Sequence, residues 1–196
     1  MHSAFTSHVA LLLSGRAPRG LAPFLMSAPV IPLAKSGGGV RPIAVGEVWR
    51  RLASKVALGA ISASAKNFLL PFQWGVGVSG AAEAITHSLN HLVSKHALDE
   101  ELGDLKVDLS NAFNVVSREA FLGGVRRQFP LLFEWVDYCY GCQAHLFVGD
   151  SVLQSCCGVQ QGDPLGPLPF CCGVTAFDSP YQRSMPQFVA QRLVPG

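Results

Sequence analysis

Two stretches decide how this chain reads: Leu105-Lys106-Val107-Asp108-Leu109-Ser110-Asn111-Ala112-Phe113 and, about fifty residues on, Gly158-Val159-Gln160-Gln161-Gly162-Asp163-Pro164-Leu165-Gly166-Pro167. The first alternates as a buried strand over Leu105 to Leu109 and ends in a turn. A carboxylate at that strand end, Asp108, can project into a cleft while the sheet holds its backbone. In the second, glycine allows close backbone approach at Gly162, and Asp163 can cap a helix begun by Pro164. A third stretch, Lys35-Ser36-Gly37-Gly38-Gly39-Val40-Arg41-Pro42-Ile43, sets two cations about a glycine turn. It reads as a hairpin between strands Phe24 to Leu33 and Val40 to Val45, with Pro29 and Pro32 confining the first to an edge or interrupting it.

Working outward, apolar Val48, Leu52, Val56, Ala60 and Ile61 predict a helix over Glu47 to Leu69 that Pro71 stops. Ser79 to Lys95 reads as a second helix, with Ser79 as N-cap and Ala82, Ile85, Leu89 and Leu92 as its stripe. Helices are expected over Glu119 to Phe129 and Leu131 to Tyr140, and a hairpin around Gly149-Asp150. Pro164 to Phe177 reads as a helix weakened by Pro169, since an interior proline costs about 3 kcal/mol. The lead-in, 1–24, and the tail, 178–196, show no sustained period. The class expected is α+β.

The chain has 196 residues, 49% of them apolar, and mean hydropathy +0.30, enough to bury a core. Charged residues are only 14%, well below the ordinary value of about 25%. The net charge of +2 hides an asymmetry: residues 1–82 carry eight Lys/Arg and the single acid Glu47, whereas 83–196 carry seven Lys/Arg and twelve acids. A basic half suits phosphates and an acidic half suits metal ions, although chance segregation gives the same pattern. No span of about 20 apolar residues and no secretory leader is apparent, so no membrane partner is expected. Six cysteines in adjacent pairs and one C-x-x-C read as reduced thiols, buried at a helix end, which implies nucleus or cytoplasm.

Together the three stretches resemble the reverse transcriptases of retrotransposons without long terminal repeats. The likeness covers roughly Leu25 to Phe170. It implies a partial right-hand polymerase fold: fingers hairpin and helices over 25–103, and an incomplete palm sheet over 104–177. The intact family enzyme is an RNA-directed DNA polymerase that takes an RNA template, a DNA primer and deoxynucleoside triphosphates, with Mg2+. The resemblance implies that Asp108 and the backbone carbonyl of Leu109 ligate metal. Phe113 would stand against the sugar 2′-position, Lys35 and Arg41 would grip triphosphate, and Gln161 and Gly162 would position nucleotide and template. Arg50, Arg51 and Lys55 are candidates for template phosphates or the wet face of their helix, and Gln73 lies in a loop placed near the template. The family's second carboxylate motif, an aromatic-x-Asp-Asp hairpin, does not occur before Gly196. Two Mg2+ ions need more than one carboxylate, so the chain alone is expected not to extend primers. The alternatives are a noncatalytic nucleic-acid-binding module of the same descent and a remnant without function.

Two patterns compete. Gly75-Val76-Gly77-Val78-Ser79-Gly80 is a literal G-x-G-x-x-G, but a dinucleotide fold needs a buried strand before it. His87 and His91 sit four apart on a helix without a third ligand in register.

Overall fold

A computed structural model describes residues 2–99 and 108–175. The element order is α1 (His2–Leu13), a 3-10 turn (Arg19–Leu21), α2 (Ala22–Leu25), β1 (Ala28–Ala34), β2 (Val40–Ala44), α3 (Val48–Leu69), α4 (Ala81–Lys95), α5 (Ala112–Val115), α6 (Arg118–Gln128), α7 (Pro130–Tyr140), β3 (Ala144–Val148), β4 (Ser151–Ser155) and α8 (Pro167–Thr175). The class is α+β, as expected. The chain divides into two compact units, Met1–Ser62 with Asn111–Phe177, and Ala63–Ser110 with Asp178–Gly196.

In the first unit the four strands form one mixed sheet in the order β2-β1-β3-β4. β1 is thus an interior strand, although its prolines argued for an edge. The register explains how Pro32 is tolerated. β1 meets β3 only at Ala28 and Pro29, in parallel, so Pro32 lies beyond that pairing. On the other side Pro32 stands opposite Pro42. Lys35 N donates to Gly39 O and Val45 N to Pro29 O, and alternation between these rungs makes Pro32–Pro42 a pair that exchanges no hydrogen bonds. Neither missing N–H is needed by the hairpin. Beyond β1, the β3–β4 hairpin turns at Gly149-Asp150, with Val148 opposite Ser151.

Helix α6 packs on α8 and α7. A side chain at Gly124 would stand 2.8 Å from the Cys172 carbonyl and one at Gly173 2.9 Å from Val116, so the α6–α8 approach depends on glycine on both sides. Phe121, Val125, Leu132, Trp135, Val136, Leu165 and Leu168 are buried here. Ser117 caps α6 by accepting from Ala120 N at 3.2 Å.

Several boundaries differ from expectation for physical reasons. Residues 2–13 form α1 rather than a loose lead-in, burying Val9 and Leu12. Phe24 is exposed in α2, and the strand starts at Ala28. In α3 the buried face is Arg50, Ala53, Ser54 and Ala57, while Val48 and Val56 are exposed. Small residues let α3 come close: Trp135 Nε1 donates to Ser54 Oγ at 3.2 Å. Pro169 is the third residue of α8, where an N–H would have no intrahelical acceptor, so it does not break the helix.

In the second unit, α4 starts after Gly80, whose left-handed conformation (φ 66) replaces the expected Ser79 cap. Ile85, Leu89 and Val93 are exposed. The G-x-G-x-x-G follows α3, a helix and not a strand, so the dinucleotide reading fails. Leu105 to Val107 and the tail fall outside the described residues, and Asp108 and Leu109 are not in a strand. No helix among the described residues is long and apolar enough to cross a membrane.

Candidate nucleotide and nucleic-acid site

The loop Gln160–Gly166 runs between two other sequence landmarks of the first unit. On one side, Ala44 N at the base of the β1–β2 hairpin donates to Gln161 O at 2.7 Å. On the other, Val159 N donates to Phe113 O at 2.8 Å and Gly158 N to Val116 O at 3.0 Å. The two glycines are required by these approaches. A side chain at Gly162 (φ +119) would stand 2.6 Å from Ala44 O, and one at Gly158 (φ +66) 2.3 Å from Asn114 O. Gly162 therefore makes room for β2; the close approach expected at a base or sugar is to protein backbone. The loop itself is two successive turns, Asp163 N to Gln160 O at 3.1 Å and Gly166 N to Asp163 O at 3.0 Å.

A buried ionic cluster fixes the loop. Arg50 Nη2 and Asp163 Oδ2 are 2.6 Å apart, with side chains 1% and 2% exposed. Tyr140 Oη donates to the same Oδ2 at 2.6 Å, and Asp163 Oδ1 accepts from Leu165 N at 3.0 Å. Arg50 Nη1 reaches Gln160 Oε1 at 2.5 Å and Met26 O at 3.1 Å, and Gln160 Nε2 donates to Met26 O at 2.9 Å. Burial pulls the Arg50 guanidinium down, but Asp163 and Tyr140 outweigh it and hold it above its ordinary value. Burial, then Asp163, pushes the Tyr140 phenol well above 10.0, so it donates as a neutral hydroxyl. Arg50 thus cannot meet template phosphates. It is enclosed and already neutralised, and that expectation is withdrawn.

Arg118 makes a second clamp. Its guanidinium donates to the carbonyls of Tyr140 and Cys142 and to that of Gly158, and to Ser155 Oγ at 2.8 Å. It joins the end of α7 to the strand leading into the loop. Its partial burial lowers its pKa.

The other expected residues sit as follows. Lys35 and Arg41 are exposed on the β1–β2 hairpin, whose residues 31–42 are all exposed. Arg51 and Lys55 are exposed, one turn apart on α3. Phe113 is half-buried and stacks on Phe170, with ring centroids 4.5 Å apart and planes 9° from parallel. In the second unit, Asp108 and Leu109 are exposed, and Gln73 Oε1 accepts from Gly75 N at 3.1 Å within its own turn. Cys139, Cys171 and Cys172 are buried, but Cys156 and Cys157 are exposed, so burial at a helix end holds for only part of the set. Among the described residues no group of three His, Cys, Asp or Glu comes together in a way that could hold a metal ion. Sequence reasoning missed Tyr140, Gln160 and Phe170. None of the three has a local signature, because each acts through a residue more than twenty positions away: Asp163, Arg50 and Phe113. A groove of about 570 Å³ on α6 and α7, lined by Arg118, Glu119, Arg126, Phe133 and Cys142, holds none of the expected nucleotide contacts.

No protein-family model matches the chain. It is similar to the retrotransposable element SLACS 132 kDa protein of Trypanosoma brucei gambiense, 30% identical over 170 residues. The match covers 83% of this chain and 14% of that protein. The similarity relates the chain to a retrotransposable element, of whose protein it spans about one-seventh.

Proposed function

We propose that this chain is a reverse-transcriptase portion, fingers plus the first part of the palm, that positions nucleic acid and deoxynucleoside triphosphate for RNA-templated DNA synthesis. The observation that supports the reading most is the joining of the three stretches it rests on. The Gln161-Gly162 backbone is bonded to the base of the cationic hairpin, and the residue before Gln160 is bonded to Phe113. Lys35 and Arg41 on an exposed hairpin suit a triphosphate, and the exposed Arg51 and Lys55 suit a nucleic-acid backbone. Phe113, stacked on Phe170, offers a rigid ring for sugar discrimination.

Mg2+, which the intact family enzyme uses, takes several oxygen ligands. The described residues do not by themselves make such a site, and the role proposed for them is positioning. A second reading, a noncatalytic binding module of the same descent, rests on the exposed Arg51 and Lys55, which suit a nucleic-acid backbone without a metal.

The test is fluorescence anisotropy with a labelled RNA–DNA template-primer across a salt titration. Binding that weakens steeply with salt is expected, and Lys35→Ala/Arg41→Ala loses the effect of an added matched deoxynucleoside triphosphate. If Asp108→Asn binds as wild type and the triphosphate has no effect on either, the binding-module reading replaces the polymerase one. Absence of any binding at low salt would overturn both.

A further inference from the structure

Strand β4 is an edge of the sheet, and the hairpin it closes decides which of its backbone groups are free. Val148 and Ser151 face each other across a two-residue turn, so they are a hydrogen-bonded pair, and Leu146–Leu153 and Ala144–Ser155 follow in alternation. Ser151, Leu153 and Ser155 thus bond to β3, while the N–H and C=O of Val152 and Gln154 point away from it. Among the described residues no other strand pairs with β4, and no backbone partner reaches those outward groups. The opposite edge is different. β2 is blunted by Pro42, whose missing N–H lies on the outward side, and by the hairpin cations Lys35 and Arg41. β4, Ser151-Val152-Leu153-Gln154-Ser155, has neither charge nor proline and is exposed from Ser151 to Gln154. Its side chains are also left uncovered on one face. Leu153 stands opposite Leu146, which is beside Ala28. Ala28 is 1% exposed but Leu153 55%, so a row of apolar side chains that begins in the core runs out into water at β4.

We propose that β4 pairs antiparallel with β4 of a second copy of this chain, about a two-fold axis through Leu153, joining two four-stranded sheets into one. In this register the strand is its own complement. Val152 of each copy stands opposite Gln154 of the other, and these are the residues with free outward groups, so they exchange both hydrogen bonds on either side of the axis. Leu153 meets its counterpart in the non-hydrogen-bonded pair at the axis, where side chains come closest, and the leucine row closes on itself. All facing residues are uncharged, so no like-charge cost opposes self-pairing, whereas a charged foreign strand finds no counter-charge on β4. A shift by one residue would set outward groups against inward ones. Moving the axis to Val152 would bring Asp150 into the ladder, opposite Gln154. Because β2 is blunted, the pairing ends at two copies and does not propagate.

The test is sedimentation velocity of the whole chain over a dilution series. Wild type is expected to rise to twice its 20.9 kDa mass with concentration and to stop there. Leu153→Lys places two cations at the axis, and Val152→Pro removes an outward donor without touching the β3 ladder. Each is expected to stay monomeric where wild type is dimeric, with unchanged far-UV circular dichroism, while Val40→Lys on β2 dimerises as wild type. Leu153→Cys, oxidised with copper phenanthroline, is expected to join the two introduced thiols, seen by peptide mapping, since Cα atoms of such a pair lie about 4.5 Å apart, within disulfide reach. If one variant fails to fold, the other and the cross-link decide. A wild type that stays monomeric throughout overturns the proposal, and protected amide protons at Val152 and Gln154 in that monomer would assign the edge to another segment of the same chain. A dimer that survives the folded variants, or growth past two copies, overturns it as well.

Discussion

Replacing Arg50 with methionine should unlock the Gln161 loop. The substitution removes the cation 2.6 Å from a carboxylate that is 2% exposed, along with the hydrogen bonds to Gln160 Oε1 and Met26 O. Asp163 keeps Tyr140 Oη and Leu165 N, but its charge is left buried without a partner. Breaking a buried pair on one side costs about 3–5 kcal/mol, a large part of a typical domain stability of about 5–15 kcal/mol. In a chain of this size that lowers Tm by about 6–20 °C. Urea unfolding followed by tryptophan fluorescence reads it, because Trp135 is buried against Ser54 of α3. The midpoint falls with the denaturant slope unchanged. Adding Asp163→Asn to Arg50→Met removes the orphaned charge while keeping an acceptor for Tyr140, and recovers part of the loss. A cost under about 1 kcal/mol for Arg50→Met, or no recovery in the double variant, would refute this reasoning.

Alkaline pH should destabilise the protein. Burial raises the Cys139 thiol, pushes Cys171 up to about 11 and Cys172 to about 12, and with Asp163 raises Tyr140. Each group stays protonated when folded and ionises when unfolded. The stability is therefore complete below pH 9 and falls as pH rises through 9 and 10 toward the folded values, by up to about 1.4 kcal/mol per pH unit for each fully buried group; urea midpoints from pH 8 to 10.5 check the sign. Gly162→Ala meets Ala44 O at 2.6 Å in a left-handed backbone conformation, so a loss of about 1–3 kcal/mol is expected, with faster hydrogen exchange at Ala44 N. Ser117→Ala removes the α6 cap and should cost about 1 kcal/mol by the same unfolding assay. Arg51→Ala/Lys55→Ala touches only exposed side chains, so Tm should hold while the log–log salt slope of template-primer binding falls by about 1.5.

Much of this architecture was legible in the sequence because local rules dominate there. The glycine turn between β1 and β2 and the two-residue turn at Gly149-Asp150 rest on short-range chemistry. The phase of α3 was not legible. Val48 and Val56 drew the apolar stripe to the exposed side, because a helix that buries Arg50 among Ala53, Ser54 and Ala57 looks polar until Asp163, more than a hundred residues away, is placed beside it. Pro32 misled for a similar reason, since its cost depends on which rungs the partner strand needs. The site was legible in parts. Lys35 and Arg41 lie on an exposed hairpin as expected, and the loop at Gln161 lies against that hairpin's base. Asp163 does cap the turn at Leu165, but its larger role, holding Arg50 and Tyr140, has no local signature.

In the function proposed above, the hairpin cations and the Gln161 loop serve one nucleotide. The measurement that tests it most directly is the affinity of the template-primer complex for the matched deoxynucleoside triphosphate, in wild type and in Lys35→Ala/Arg41→Ala. Wild type is expected to prefer the matched over the mismatched triphosphate, and the double variant to lose triphosphate binding while still holding template-primer. Wild-type binding that ignores base identity, or a double variant that binds triphosphate as well as wild type, would contradict it.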